Sequence, residues 1–178
     1  MLGCCGALAV GLFTGLSARA AAPLRNPCKG PWPASGPGQG LVDAAFDGVD
    51  ATRLVDTHAH LLGTGDSGSG CTVHPSMQQW WRPVEVLRRR AILDAACVAP
   101  DAPSIDRAYV ERLHTLAADF PPGARWWLFA FEQAHDDAGQ PRADWTTFHV
   151  PDAYAAQVAA ALPQRFAWVA SVHPYRPD

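Results

Sequence analysis

Asp56, His58 and His60 are the residues of this chain whose types and spacing are best suited to chemistry. Alternate residues of a strand point to the same face, so the sequence predicts that all three share one side. The two imidazoles then come close enough to bind one metal ion at the usual Zn–N distance of ~2.0–2.1 Å. We expect Asp56 either to orient a ligand histidine through its other ring nitrogen or to remain buried as a structural acceptor.

Three further histidines are candidates for the rim of a substrate site: His74, His135 and His173. His173 follows a predicted strand, and His135 follows another together with Glu132 and Asp136. A solvated loop is the more ordinary explanation for Glu132, His135 and Asp136, since polar residues are common between a strand and a helix. The sequence identifies no catalytic acid or base.

From residue 53 onward, predicted strands and helices alternate along the chain, and these elements position the candidate residues. Continuous apolar runs of strand length are typical of strands buried on both faces, as in parallel sheets. The predicted strands are Leu54–His60, Trp126–Phe131 and Phe166–Val172. One predicted helix begins at Pro83. A second begins near Asp106, with that residue as its cap, and ends before Pro121. A third begins at Pro151 and ends before Pro163. In the helix from Pro83, we expect Val84, Leu87, Ala91 and Ala95 to form the buried face.

This order predicts an α/β fold with a parallel sheet. A (β/α)8 barrel takes ~250 residues, whereas this chain has 178. We therefore expect residues 51–178 to be the N-terminal portion of such a barrel, about three of its eight strands, and the chain to be a fragment.

Residues 1–22 have the pattern of an export segment. Residues 2–16 carry no charge, and Ala18-Arg19-Ala20 is a small-x-small cleavage pattern. The run is too short for a stable membrane span, and a buried first helix is the alternative. No Lys or Arg precedes the run, which counts against a standard export signal, and a true start upstream of Met1 would explain the missing basic residues. Residues 23–50 are predicted to be a Pro/Gly-rich, irregular lead-in, and the mature protein to be periplasmic or secreted.

The five cysteines show no CxxC spacing, which gives little support to a zinc finger or a thioredoxin-like site. Cleavage after the leader would leave Cys28, Cys71 and Cys97, so one disulfide is allowed in an oxidising compartment. Cys97 lies between apolar neighbours and is predicted to be a small buried core residue rather than a reactive thiol.

Composition is that of an ordinary globular protein and argues against wholesale disorder, and the small-molecule substrate that we expect goes with the family resemblance described below. Apolar residues make up 48% and charged residues 17% of the chain, and the formal net charge is -3. The only cationic run is Arg88 to Arg90, which on a helix is typical of a solvated face. No basic patch indicates nucleic-acid binding. We expect Trp80, Trp81, Trp126 and Trp127 to pack in the core or in loops.

The segment from Leu54 to Leu61 (LVDTHAHL) resembles the first-strand motif of the amidohydrolase superfamily, and most closely its amidohydrolase-related branch, which includes decarboxylases. The resemblance covers under a tenth of the chain. It implies a (β/α)8 barrel, a divalent metal that is most often zinc, and hydrolysis of amide or ester-like bonds or, in some members, decarboxylation. Only His58 and His60 match ligand positions of the family. Its remaining ligands and its aspartate come from later strands, so we expect this chain alone to be inactive.

Three alternatives stay open. One is a decarboxylase or other lyase of the same branch. Another is a TatD-like metal-dependent nuclease, whose first strand carries a similar acidic-x-His-x-His run, although the export-like leader and the glycine-rich stretch after His60 speak against it. The third is an exported metal-binding module without catalysis that keeps only the histidine pair.

Overall fold

Three parallel strands form the main sheet of the computed structural model, which describes residues 36 and 38–177. The predicted leader and most of the predicted lead-in lie outside the described residues. The strands are β1 (Val55–His60), β2 (Thr72–Val73), β3 (Arg125–Phe129), β4 (Phe148–His149) and β5 (Phe166–Val169). The sheet order is β1-β3-β5, and β2 pairs with β4 in a separate antiparallel ribbon. The predicted mixed α/β class with a parallel sheet is confirmed.

In the part of the chain that the structure describes, four α-helices accompany these strands: α1 (Gln39–Phe46), α2 (Pro83–Ala95), α3 (Ile105–Ala118) and α4 (Asp152–Ala161). Short 3-10 helices cover Ala51–Arg53 and Pro75–Gln78. Helix α2 starts with Pro83 in its first turn, where proline costs no hydrogen bond. Helix α3 is capped by Ser104, whose side chain accepts a hydrogen bond from the amide of Arg107. The predicted cap, Asp106, lies instead inside the first turn and is fully buried.

The core lies between one face of the sheet and helices α3 and α4. Trp126 and Leu128 of β3 and Phe166 of β5 are buried there. They pack with Val158 of α4 and Ala117 of α3. Because alternate strand residues point to opposite faces, these residues define the face that the helices cover.

The prediction of strands buried on both faces is wrong for the described residues. Trp127 is 43% exposed, although its neighbours Trp126 and Leu128 are buried, and five of the six residues of β1 are exposed. The helices cover a single face of this sheet. The other face presents the alternate side chains to solvent.

Two further expectations about burial are corrected. Val84 and Leu87 of α2 are 74% and 50% exposed, so the predicted apolar face does not face the core. The buried residue of this helix is Leu93, which packs with Val98 and Ile105. Trp80 and Trp81, expected to pack, are also exposed.

Residues 39–46, which belong to the segment predicted to be irregular, form helix α1. None of its residues is buried. The helix lies beyond the densest Pro/Gly stretch, and glycine at residue 38 stands at its start.

Cys97 ends helix α2 in a left-handed conformation, with φ 57°. The amide of Cys97 donates to the carbonyl of Asp94, and that of Val98 donates to the carbonyl of Leu93. This is the paired hydrogen-bond pattern of a Schellman helix end. Cys97 is half-buried and engaged in a disulfide, so the expectation of a buried core cysteine is wrong. Cys71 is buried with a free thiol.

The glycine-rich loop after β1 is held by a reciprocal pair of carboxylates. Asp106 of α3 accepts hydrogen bonds from the amides of Thr64, Gly65 and Ser67 and from the hydroxyls of Ser67 and Ser69. Asp66 of the loop accepts in return from the first amides of α3 and from Ser104. A carboxylate is favourable at this end of a helix. The pair fixes the path of the chain immediately after His60.

Candidate metal site at the end of the first strand

The imidazoles of His58 and His60 converge at the carboxyl end of β1. Their Nε2 atoms lie 2.8 Å apart, and the ring planes meet edge to face with centroids 4.7 Å apart. Both residues are exposed. The predicted proximity of the two ring nitrogens is therefore present in the fold.

The backbone at this end of β1 is anchored on both sides. The hydroxyl of Tyr109 in α3 donates to the carbonyl of His60 at 2.5 Å. The next residue, Leu61, is 1% exposed and its amide donates to the carbonyl of Phe129. These contacts hold the histidine pair at a fixed position on the sheet, although its side chains face solvent.

Two phenylalanines form the apolar surroundings of the pair. Phe129 lies 5.7 Å from each imidazole, and Phe131 lies 5.0 Å from His60, centroid to centroid. Burial and the charge of His58 lower the pKa of His60. The neutral imidazole is the form that binds a metal ion. His60 therefore stays neutral, and able to bind a metal ion, at pH values where an ordinary histidine is already becoming protonated.

Asp56 is placed differently from the prediction. It is exposed, and its Oδ1 accepts a hydrogen bond from the backbone amide of His58 at 2.9 Å. Asp56 and Ala59 stand opposite Trp126 and Leu128, so β1 contains one extra residue between them. Such a bulge interrupts the alternation on which the prediction of a shared face rested. Asp56 supports the main chain of His58, and no contact with an imidazole is found in the described part of the chain.

The donor pair fits a metal ion in its spacing. Two nitrogens bound at ~2.0–2.1 Å to one tetrahedral ion lie ~3.4 Å apart, and at a right angle they lie ~2.9 Å apart. The observed 2.8 Å separation would have to open by ~0.6 Å for the tetrahedral case. Among residues 38–177, no group of three or more His, Cys, Asp or Glu side chains is arranged to hold a metal. His58 and His60 thus offer two nitrogen donors side by side, and no third donor joins them among the described residues.

No protein-family model, curated protein or solved structure matches this chain. Assignment of function therefore depends on the residues of the chain itself. In the described part of the chain, no helix has both the length and the apolar character needed to cross a membrane.

The remaining predicted site residues fall into two places. His135 is buried, and its ring lies 5.1 Å from that of His173, centroid to centroid. His74 caps the 3-10 helix that follows it by accepting from the amide of Ser76, and its Nε2 lies 3.2 Å from the carbonyl oxygen of Asp144. The contacts of the described residues bring none of these three rings against the pair on β1. His74 is engaged in holding loops together.

A cluster of charged side chains near His135 was missed from the sequence. Glu132, His149, Asp152 and Arg176 meet there through ion pairs that join three separate segments. The cluster could not be recognised in the sequence, because its members are up to 44 residues apart. One available signal was Asp152, an acidic residue in the first turn of α4 three positions after the end of β4.

Proposed function

We propose that this chain belongs to a metal-dependent hydrolase of the amidohydrolase type, with His58 and His60 as ligands of a divalent ion, most simply zinc. The single observation that carries the proposal is the 2.8 Å approach of the two Nε2 atoms. The lowered pKa of His60 supports it, because proton release is a cost of metal binding at histidine.

We also propose that the three parallel strands are part of a (β/α)8 barrel. Successive long strands add to the same edge of the sheet, in the order β1-β3-β5. The helices cover one face, and the histidine pair lies at the carboxyl end of β1. In barrel enzymes the reacting groups gather at that end of the strands.

In this proposal His58 and His60 would hold the ion, which when bound would supply Lewis acidity for activating a water molecule and for polarising an amide or ester carbonyl. The chain's own contribution is to position and to shield. Tyr109 and Asp56 hold the backbone of the histidine pair through His60 and His58. Phe129 and Phe131 provide an apolar wall that lowers the local dielectric and strengthens electrostatic interactions with a small-molecule substrate.

Export of the protein is part of the proposal. The uncharged leader and its small-x-small motif favour export, and the disulfide at Cys97 is typical of an oxidising compartment. Mass spectrometry of protein recovered from the periplasm or medium tests this. We expect cleavage near Ala20, and a mature chain that retains residues 1–20 would contradict it.

Metal analysis of the protein purified from the gene's full reading frame tests the site. We expect bound zinc in the wild type and its loss in a His58→Ala/His60→Ala double variant. Unchanged metal content in that variant would overturn the assignment. Assays on the gene's full reading frame then separate the functions: ester or amide hydrolysis supports the hydrolase, carbon dioxide release supports the related lyase, and DNA cleavage supports the TatD-like nuclease. Metal binding without any of these activities supports a non-catalytic module.

A further inference from the structure

The apolar stripe of helix α2 faces solvent. Val84 and Leu87 are exposed, and Ala91 continues the same side of the helix one turn further along. The opposite side carries Leu93, which is 2% exposed. A helix on the surface of a globular protein normally turns its apolar stripe towards the core. The outward stripe of α2 is therefore a surface that needs a separate explanation.

Two tryptophans extend this stripe at the start of the helix. Trp80 and Trp81 are 82% and 60% exposed, and their rings meet edge to face with centroids 5.9 Å apart. The amide of Arg82 donates to the carbonyl of Gln79, which closes the turn that carries both rings. Single exposed apolar residues are ordinary, whereas a group of large ones marks an interaction site. We call this group the α2 patch, and its members are Trp80, Trp81, Val84 and Leu87.

Arginines border the α2 patch. Arg88 and Arg90 lie about one helical turn beyond the two stripe residues, on opposite sides of the stripe. Arg88 is 3.8 Å from Glu85, and Arg90 is 4.0 Å from Asp94, which are long contacts for ion pairs. The arginine side chains are 55% and 66% exposed, against 31% and 23% for their carboxylate partners. The cations therefore stand outermost on this surface.

The segment that carries the α2 patch is basic in an acidic protein. From Pro75 to Ala95 the chain has four arginines, one glutamate and one aspartate, which give a net charge of +2. The whole chain has a net charge of -3, so the other residues together carry -5. Positive charge is thus concentrated beside exposed apolar side chains, and charge complementarity favours an anionic partner.

The residue types of this surface match those of a helix that lies on a lipid bilayer. Tryptophan is enriched at the boundary between membrane and water, where its ring is apolar and its N–H group stays hydrated. Arginine can bury its methylene stem along an apolar surface and keep its guanidinium among the headgroups. Helix α2 has 13 residues, which is too short to cross a bilayer. An apolar stripe bordered by arginines is instead typical of a helix in the plane of the interface.

We propose that the α2 patch docks on the surface of a bilayer that contains anionic lipid. Its four apolar side chains would enter between the headgroups. Arg82, which is exposed at the start of α2, and Arg88 and Arg90 would lie beside the lipid phosphates. An arginine near an anionic surface contributes roughly fivefold to the affinity. The proposal is independent of the metal site and of the barrel.

Co-sedimentation of the protein from the gene's full reading frame with lipid vesicles tests the proposal. The anionic vesicles contain phosphatidylcholine and phosphatidylglycerol at about 2:1, and the neutral vesicles contain phosphatidylcholine alone. We expect binding to the anionic vesicles to be at least about tenfold tighter than to the neutral ones, and to weaken as sodium chloride is added. Vesicles with brominated acyl chains should quench the tryptophan fluorescence of the bound protein.

Two pairs of substitutions locate the contact. Trp80→Ser/Trp81→Ser should weaken binding to anionic vesicles at least about tenfold and remove most of the quenching. Trp145→Ser is the matched control, because Trp145 is 57% exposed but lies in the loop after β3, and it should bind as the wild type does.

The arginines are tested separately. Arg88→Gln/Arg90→Gln should weaken binding to anionic vesicles at least about tenfold and leave binding to neutral vesicles unchanged. Arg53→Gln/Arg107→Gln makes the same change of charge at two exposed arginines outside the segment and should have less than half this effect on the logarithm of the affinity.

Four outcomes would overturn the proposal. The first is no binding to anionic vesicles, as expected if another part of the protein covers the patch. The second is equal affinity for neutral and anionic vesicles, and the third is undiminished binding of the tryptophan double variant. The fourth is self-association of the wild type that this variant loses, which would make the patch an interface between copies. Circular dichroism checks that each variant is folded.

Discussion

Replacement of Asp106 by alanine should be the most damaging single change in the loop that follows the histidine pair. Asp106 is 0% exposed and accepts five hydrogen bonds at 2.6–3.3 Å from Thr64, Gly65, Ser67 and Ser69. Alanine would leave three amides and two hydroxyls without this acceptor. It would also remove the carboxylate from the first turn of α3, where it is electrostatically favourable.

The expected cost follows from these contacts. A hydrogen bond to a charged group contributes ~1.5–3 kcal/mol, but the five bonds share one carboxylate and are not additive. The loop also regains water for its more exposed donors. We therefore expect a loss of ~3–5 kcal/mol, the range for breaking a buried charged network. With a slope of ~2 kcal/mol/M in urea, the midpoint falls by ~2 M.

Urea unfolding followed by circular dichroism measures this change. Glu111→Gln is the matched control, since Glu111 is an exposed carboxylate of the same helix. We expect the control to unfold within ~0.5 kcal/mol of the wild type. An Asp106→Ala midpoint that coincides with the control would refute the reasoning that the loop is held by this carboxylate.

Three further predictions concern the same loop. Burial works to raise the pKa of Asp66, but its hydrogen bonds with Ser104 and the start of α3 lower it overall. The stabilisation that the ionised carboxylate gives is therefore present above pH ~4 and is lost as the pH falls further. Between pH 5 and 3 the free energy of unfolding should fall less in Asp66→Asn than in the wild type, and equal falls would contradict this. Gly65 has φ +85° with the carbonyl oxygen of Cys71 2.5 Å from an added Cβ, whereas Gly68 has φ +80° and open space; Gly65→Ala should therefore lower the thermal midpoint more than Gly68→Ala, and the reverse order would be inconsistent with the clash. Burial raises the pKa of the Cys71 thiol to about 11, so this thiol should react with a disulfide reagent at pH 8 only after unfolding, and rapid reaction in the native protein would be the contrary result.

The histidine pair was predictable because it depends on local geometry. A spacing of two residues on a regular strand brings side chains to one face. The same rule failed for Asp56, because the bulge between Asp56 and Ala59 arises from pairing with β3 and leaves no trace in the spacing. The starts of α2, α3 and α4 were predictable from proline and apolar periodicity to within a residue or two, whereas α1 lies in the segment predicted to be irregular.

Burial was less predictable than element type. The apolar residues Val84 and Leu87 suggested a core-facing side of α2, but which side a helix buries depends on where its neighbours lie. The cluster of charged side chains around Glu132 could not be predicted either, because Glu132 and Arg176 are 44 residues apart and meet only in the folded chain. Long-range pairs of this kind require the tertiary structure.

Competition titration of zinc against a chromophoric chelator tests the central claim most directly. We expect one zinc ion per chain. His58→Ala should raise the dissociation constant for zinc by at least ~100-fold, which exceeds the usual effect of losing only a residue that hydrogen-bonds to a ligand. His173→Ala, which removes a histidine outside the pair, should leave the constant within about threefold. Equal zinc affinity in His58→Ala and wild type would contradict the claim that His58 and His60 hold a metal ion.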